Sequence, residues 1–186
     1  MGRRQRYADP DRRLLREPLD EDAIHLAAFA RDDGTPLGAL RLHLSSRSPL
    51  AFFEQLYGLA PDSFGPRAMV ITRLITRPHA RGGRASAGLL LAKAAYRLGL
   101  EEGVEHGYID CGRPLVPFFE WLGFDCIRLF EHAEYGEIAI MRIDPRDTTR
   151  LAKTDSPFLA LLEAERAEGA ASSPVEELPQ AAETAG

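Results

Sequence analysis

The sequence has little of what marks a secreted, metal-binding or membrane protein. Its 186 residues include two cysteines and five histidines, with no Cys-x-x-Cys pair and no His/Cys cluster at metal-ligand spacing. No apolar run approaches the roughly 20 residues of a membrane-spanning helix, and no apolar core follows the first arginines as in a signal peptide. These absences favour a reduced, cytoplasmic protein without a metal site. They also favour Cys111 as a buried strand residue over Cys111 as a nucleophile.

An excess of positive charge is also missing. The formal net charge is −5 at pH 7, which argues against a nucleic-acid-binding protein. Residues 1–17 carry six basic and three acidic side chains, and we interpret them as a solvated basic arm rather than a phosphate-contacting one. From residue 163 onward Ala, Glu, Ser and Pro dominate, and we expect a disordered acidic tail over 163–186.

A β-hairpin is predicted near the start of the chain. Ala23–Arg31 and Pro36–Leu44 have the pattern of strands, and the Asp-Asp-Gly-Thr segment at 32–35 supplies the turn residues. One face of the second strand is apolar. Its other face carries Arg41 and His43, which gives this strand a polar side that needs partners inside the fold.

The rest of the chain predicts a mixed α/β order. A buried strand over Ala68–Thr76 is followed by a helix from about Ala85 to Glu102, with Ala87, Leu90, Leu91, Ala94 and Leu98 as its apolar face. Further elements are a helix from Ser48 to about Tyr57, a strand over Gly107–Cys111, a helix over Val116–Leu122, and strands near Cys126–Phe130 and Glu137–Ile143. A strand, a long helix and another strand indicate a crossover, and we place one domain at 18–162.

The segment TRPHARGGRASAGLLL at 76–91 is a candidate anion site. A strand that runs through a Gly-rich turn into a helix directs free N–H groups of the first helical turn at a ligand, and the helix dipole favours negative charge there. Arg81 and Arg84 add forked donors. The segment matches neither a P-loop nor a G-x-G-x-x-G dinucleotide fingerprint. An ordinary structural turn remains the alternative.

Two motifs in order give a family resemblance. RLITRPHARGGRASAGLL followed by FFEWLGF at 118–124 resembles the GNAT acyltransferase superfamily, whose fold is a central twisted mixed sheet flanked by helices. The resemblance implies that the backbone of Leu74, Ile75 and Thr76 contacts pantetheine. It also implies a pyrophosphate site formed by the amides of Arg81, Gly82, Gly83, Arg84, Ala85 and Ser86. No cofactor is then tightly bound, and an acyl-CoA or acyl carrier protein thioester is the co-substrate.

The motifs depart from the superfamily pattern at several positions. Arg84 and Ser86 stand where glycines are usual, so their side chains are expected to crowd a CoA pyrophosphate. Phe119 replaces the tyrosine that often protonates the leaving thiolate, and Gly112 replaces a common asparagine. These departures argue against ordinary acetyl transfer by the usual machinery.

A second resemblance lies inside the superfamily. EPLDEDAIHLAAFARDDGTPLGALRLHL and ITRLITRP resemble segments of the N-acyl amino acid synthases and the related acyl-homoserine-lactone synthases. Arg41 and Arg73 carry over directly, whereas Glu17 and Asp20 match an acidic pair less closely. Val70 replaces the strand glutamate of the lactone synthases, which argues against lactone synthesis. A helix precedes this region in those families, so the 1–17 arm is also interpretable as the remainder of a truncated first helix.

The resulting expectation is acyl transfer to a small-molecule amine or amino acid. Backbone N–H groups of the 71–76 strand are expected to polarise the thioester carbonyl. Asp110 is the first candidate for the general base, followed by His43 and Glu120. We expect Arg41 and Arg73 to hold an acceptor carboxylate, unless internal carboxylates already pair with them. The alternative function is a catalytically degenerate module that binds acyl thioesters or carrier protein without turnover.

Overall fold

The structure is a computed structural model that describes residues 8–9, 11–12, 14–81, 86–132 and 136–171. Its strands are β1 Ala8–Asp9, β2 Leu14–Leu15, β3 Ile24–Phe29, β4 Pro36–Leu44, β5 Ala68–Thr76, β6 His106–Gly112, β7 Asp125–His132 and β8 Gly136–Ile143. Its α-helices are α1 Ala51–Tyr57, α2 Ala87–Glu101, α3 Val116–Leu122, α4 Thr148–Lys153 and α5 Leu159–Ala171.

A six-stranded mixed sheet forms the centre of the fold, in the order β3-β4-β5-β6-β8-β7. The predicted hairpin is confirmed, since β3 and β4 pair antiparallel and Gly34 takes φ +68° in the connecting turn, a conformation that glycine adopts at no steric cost. Strands β5 and β6 are parallel and are joined through α2, which confirms the crossover. The predicted fold class, a mixed sheet flanked by helices in one domain, is confirmed.

Helices α2, α3 and α5 cover one side of the sheet over the larger apolar core. Helix α1 and the loop after it cover the other side, over an aromatic cluster formed by Leu50, Phe53, Tyr57, Phe64, Ala68, Val70, Tyr108 and Ile140. The buried Glu54 carboxylate orders this loop by accepting the N–H groups of Asp62 at 3.0 Å and Phe64 at 3.1 Å. We refer to the side of the sheet covered by α2, α3 and α5 as the helical side, and to the side covered by α1 as the α1 side.

The sheet divides where its parallel pair separates. Strands β5 and β6 pair only over Ala68–Ile71 and His106–Ile109. Beyond that point β5 continues along β4 as far as Thr76, while β6 continues along β8 to Gly112. A gap therefore opens between the second halves of β5 and β6. No described strand pairs there with the backbone groups of β5 that face β6.

The expected apolar face of α2 is confirmed in part, since Ala87 and Leu91 are buried and Leu98 packs against the core. Leu90 is 52% exposed, whereas Leu89, Ala92, Ala95 and Tyr96 are buried. Many positions of this helix are apolar, so periodicity alone did not distinguish neighbouring faces.

The folded region also extends beyond the expected boundary at residue 163, since α5 runs to Ala171. Leu162 is fully buried, and Glu165 pairs with Arg146 at 3.0 Å. These contacts fix the first part of the segment that we expected to be disordered, and residues 172–186 lie outside the described residues. No helix within the described ranges is long and apolar enough to cross a membrane.

Candidate active site

A buried ion cluster lies on the α1 side of β4. The Arg41 side chain is 5% exposed, and its Nη1 donates to Asp20 Oδ1 at 2.7 Å and to Glu17 Oε2 at 3.1 Å. Its Nε donates to Thr72 Oγ1 at 2.9 Å. A buried guanidinium needs such partners to offset its loss of hydration. Arg41 was expected to hold an acceptor carboxylate unless internal carboxylates already paired with it. The structure shows the second arrangement, because Glu17 and Asp20 bind its guanidinium.

Arg73 joins this cluster through a bulge in β5. Ala39 pairs with Ile75 and Arg41 pairs with Thr72, so β5 has one residue more than β4 in this interval. Arg73 takes φ +55° there. The bulge lets Thr72 and Arg73, although consecutive, reach the same cluster, where the Arg73 guanidinium pairs with Glu17 Oε1. The Arg73 side chain remains 28% exposed, so it keeps donors for a further anion.

The Asp20 carboxylate of the cluster is held in its charged form. Burial acts to raise the pKa of Asp20, but the hydrogen bond from the Glu17 N–H at 2.7 Å and the Arg41 guanidinium outweigh it and lower the pKa. Both acids lie around the short 3₁₀ helix Pro18–Asp20 that leads into β3. Glu17 lies at the end of the segment that we interpreted as a basic arm, and it was also matched, less closely, to an acidic pair with Asp20. The structure places both acids in this cluster.

Asp110 lies at the start of the gap. The last pair between β5 and β6 joins Ile71 to Ile109. Asp110 is the next residue on β6, and Thr72 is the next residue on β5. Its Oδ1 accepts a hydrogen bond from the Tyr57 hydroxyl at 2.6 Å, which places the carboxylate on the α1 side. Asp110 is half-buried. The expected candidate base thus lies at the separation point, on the same side of the sheet as the ion cluster.

The alternative bases are placed differently. His43 is 2% exposed and packs on Phe53, with ring centroids 4.8 Å apart. Burial and the Arg41 charge lower the pKa of His43 to about 4. Glu120 is exposed on α3. His43 is closed off from a substrate, and Glu120 lies on the surface.

Of the candidate anion site at 81–86, the structure describes the first residue, Arg81, and the last, Ser86. At the first, the exposed Arg81 folds back on β5, and its Nε and Nη2 donate to the Thr76 carbonyl at 3.3 and 3.1 Å. At the second, Ser86 caps α2, with its Oγ accepting from the Leu89 N–H at 3.2 Å. Between these ends, Gly82, Gly83, Arg84 and Ala85 lie outside the described residues. Of the expected pantetheine contacts, Leu74 is half-buried against the core and Ile75 is 57% exposed.

An apolar cavity lies on the helical side of the gap. Its volume is about 20 Å³, and its lining includes Ile71, Leu74 and Ile109 from the two strands and Phe119 from α3. Phe119 is 3% exposed and acts as a packing residue. Near the gap, burial and the Asp110 charge raise the pKa of the Cys111 thiol to about 12, which favours the structural interpretation of this cysteine.

Two residues at the site, Tyr57 and Arg128, were not among the candidates predicted from the sequence. Tyr57, the last residue of α1, donates to Asp110, and Arg128 on β7 donates to the Tyr57 carbonyl at 3.0 Å. Both contacts join segments more than 50 residues apart. No local pattern in the sequence marks either residue.

Comparison with known proteins identifies the family of the chain. Residues 2–142 match the family N-acyl amino acid synthase FeeM. A search of curated protein sequences gives no match. Because the match spans most of the chain, the protein belongs to the FeeM N-acyl amino acid synthase family, and it is an N-acyltransferase of the GNAT fold.

Solved structures show the same fold at low identity. The CoA-dependent acyl-homoserine lactone synthase BjaI, solved with SAM and isopentyl-CoA, has a TM-score of 0.61 and 19% identity, over 86% of this chain and 82% of BjaI. FeeM from uncultured soil microbes has a TM-score of 0.52 and 13% identity, over 66% of this chain and 72% of FeeM. A putative N-acetyltransferase from Lactobacillus plantarum has a TM-score of 0.52 and 21% identity, over 69% of this chain and 74% of that protein.

Proposed function

We propose that this protein transfers an acyl group from a thioester to the amino group of an amino acid, in the gap between β5 and β6. The observation that carries the proposal is that charged groups line one side of this gap and an apolar cavity lies on the other. Its α1 side holds Asp110 and the Arg41–Glu17–Asp20–Arg73 cluster, whereas its helical side holds the apolar cavity. A zwitterionic acceptor suits the first side and an acyl chain suits the second.

Arg73 and Asp110 divide the recognition of the acceptor. Arg73 offers its remaining N–H donors to the carboxylate of the amino acid, while Arg41 holds Glu17 and Asp20 in place. Asp110 accepts a proton from the acceptor ammonium. This assignment keeps Arg73 as the carboxylate ligand and makes Arg41 a support for it.

The transfer step then follows from the gap geometry. The neutral amine nitrogen bonds to the thioester carbonyl carbon and the carbon–sulfur bond breaks. One N–H bond of the attacking amine breaks as well, and its proton passes to the sulfur, which leaves as a thiol. Backbone N–H groups of β5 beyond Ile71 face the gap without a β6 partner, and they stabilise the negative charge that develops on the carbonyl oxygen. Such a donor contributes roughly 3–4 kcal/mol in acyl-transfer sites.

The donor phosphate binds at the 81–86 loop, and its acyl chain enters the cavity. The cavity has room for little more than one water molecule, so a long chain requires surrounding side chains to move apart. Ser86 already occupies the Leu89 N–H, which removes one amide of the first helical turn from a phosphate. We therefore propose that a carrier-protein thioester, with its single phosphate, is preferred over the matching acyl-CoA.

Product formation tests the proposal directly. The full chain is incubated with acyl-CoA and acyl carrier protein thioesters, from acetyl to dodecanoyl, and a pool of amino acids, and N-acyl products are identified by mass. We expect N-acyl amino acids from wild type and a loss of about 10²–10⁴-fold in kcat for Asp110→Asn. Methyl esters of the same amino acids serve as the control, because they keep the amine and lack the carboxylate.

Three outcomes would contradict the proposal. Equal use of the amino acid and its methyl ester would remove the role of Arg73. A preference for acetyl-CoA over all longer donors would contradict the proposal that the cavity binds the acyl chain. Thioester binding without any product would support the degenerate binding module instead.

A further inference from the structure

The hydroxyl of Tyr57 is buried with one partner identified in the structure, a carboxylate at the edge of the gap. Tyr57 is 1% exposed, and its hydroxyl donates to Asp110 Oδ1 at 2.6 Å. Its ring packs between Phe53 and Phe64, with centroid distances of 6.3 and 6.2 Å. A hydrogen bond to a charged acceptor is about twice as strong as one between neutral groups, so Tyr57 holds this oxygen firmly.

The backbone of Tyr57 is fixed as well. Arg128, from the edge strand β7, reaches across to donate to the carbonyls of Tyr57 at 3.0 Å and Gly58 at 2.5 Å. Gly58 ends α1 at φ +62°, and a Cβ there would lie 2.7 Å from Arg128 Nη1. The close approach of the guanidinium thus requires glycine at this position. Both ends of Tyr57 are held by groups from distant strands.

We propose that Tyr57 is a positioning residue for Asp110, and that Arg128 fixes Tyr57 in the orientation this requires. The Tyr57 hydroxyl occupies Oδ1 and leaves Oδ2 to accept a proton from the acceptor ammonium. The inference rests on the proposed function, in which Asp110 is the base. In the step itself one N–H bond of the ammonium breaks and one O–H bond forms on Asp110, while the phenol keeps its own proton.

The environment of the phenol agrees with a permanent donor. Burial, followed by the charge of Asp110 and the hydrogen bond to it, raises the pKa of Tyr57 well above its ordinary value. The phenol therefore remains protonated and orients Asp110 in every step of the cycle. Tyr96 provides a contrast, because its buried hydroxyl donates to a backbone carbonyl, that of Pro145.

The test compares Tyr57→Phe with Tyr108→Phe. Tyr108 belongs to the same aromatic cluster, and its hydroxyl bonds to Arg142 rather than to Asp110. With an amino-acid acceptor, Tyr57→Phe is expected to lower kcat by about 10- to 100-fold, the scale of a catalytic group displaced by about 1 Å, with KM for the thioester unchanged. Tyr108→Phe is expected to keep the wild-type kcat.

Aminooxyacetate separates positioning of the base from a structural effect. It carries a carboxylate, and its amine is already neutral at the assay pH, so it does not need deprotonation. Tyr57→Phe is expected to match wild type within about threefold with this acceptor. An equal loss with both acceptors would overturn the proposal, because it would show general damage to the site.

Arg128→Met provides a second variant if Tyr57→Phe folds poorly. It should lower kcat in the same direction, and the double variant should be no slower than Tyr57→Phe alone, because both act on one carboxylate. Additive losses would overturn the role of Arg128. An active wild type with an unaffected Tyr57→Phe would overturn this inference alone, whereas an inactive wild type would overturn the proposed function.

Discussion

Two arginines that resemble each other in the sequence have different environments at the residue scale. Arg41 is 5% exposed and contacts two carboxylates, whereas Arg73 is 28% exposed and, within the part of the chain that the structure describes, pairs with Glu17. Removing one partner of a buried ion pair leaves an uncompensated charge. A partly exposed pair keeps access to water and contributes less.

Replacing each arginine by methionine should separate stability from binding. Arg41→Met is expected to lower the free energy of unfolding by about 3–5 kcal/mol. Arg73→Met is expected to lower it by about 1 kcal/mol and to raise KM for the acceptor by about 10- to 100-fold. Urea unfolding and acceptor saturation curves measure the two effects. Equal destabilisation by both variants would contradict this division.

His43 predicts a pH dependence of stability. Its ordinary pKa of 6.5 falls to about 4 in the folded protein, so the unfolded chain binds more protons between these values. The free energy of unfolding is therefore not reduced by His43 above pH 6.5. As the pH falls toward 4, proton binding to His43 in the unfolded chain lowers the free energy of unfolding by on the order of 2–3 kcal/mol. His43→Gln, which does not titrate, should lose less stability over this range in urea unfolding. Parallel curves for the two proteins would argue against a neutral buried imidazole.

The N-terminus of α2 is the element on which the proposed donor preference depends. Ser86 closes the first turn by accepting the Leu89 N–H, and the adjacent Arg81 is held against the Thr76 carbonyl. A cap stabilises the helix, but it also competes with a ligand phosphate for the same amide. In the proposed function, this element therefore has a structural role and also limits the binding of a donor phosphate.

Ser86→Gly should shift donor preference toward acyl-CoA. Glycine at an N-cap costs only a few tenths of a kcal/mol relative to serine, so the helix should remain and the Leu89 N–H should become free. We expect the ratio of kcat/KM for acyl-CoA to that for the matching carrier thioester to rise by about 3- to 10-fold, from one added amide–phosphate bond. An unchanged ratio would show that this amide is not part of the phosphate site.

At the scale of the whole molecule, α5 completes the helical side of the sheet. Its buried Leu162 belongs to the main core, and Glu165 pairs with Arg146. Chains ending at residues 162 and 171 therefore make a matched pair. The shorter chain is expected to lose about 1–2 kcal/mol, or roughly 3–6 °C in Tm. The longer chain should match the full protein, because residues 172–186 have few apolar side chains. Equal Tm values for the two truncated chains would contradict this.

Elements with local signals could be predicted from the amino-acid sequence. Turn residues predicted the β3–β4 hairpin, a run of β-branched residues predicted β5 with its bounds at Ala68 and Thr76, and the change of apolar period predicted α2. Local propensity and periodicity suffice there, because each element uses interactions between near neighbours in the chain. The motif order also led to the family, and Asp110 and Arg73 were placed among the candidate residues.

The contacts of these residues, in contrast, depend on the three-dimensional fold. Arg41 was expected to hold a substrate, and it instead holds Glu17 and Asp20, which lie more than 20 residues away. The bulge that brings Arg73 to the same cluster depends on the register between β4 and β5, and the Tyr57–Asp110 contact depends on the packing of α1 on the sheet. A charged group must find a partner once it is buried, but the sequence does not say which partner. Long-range register and packing make that choice.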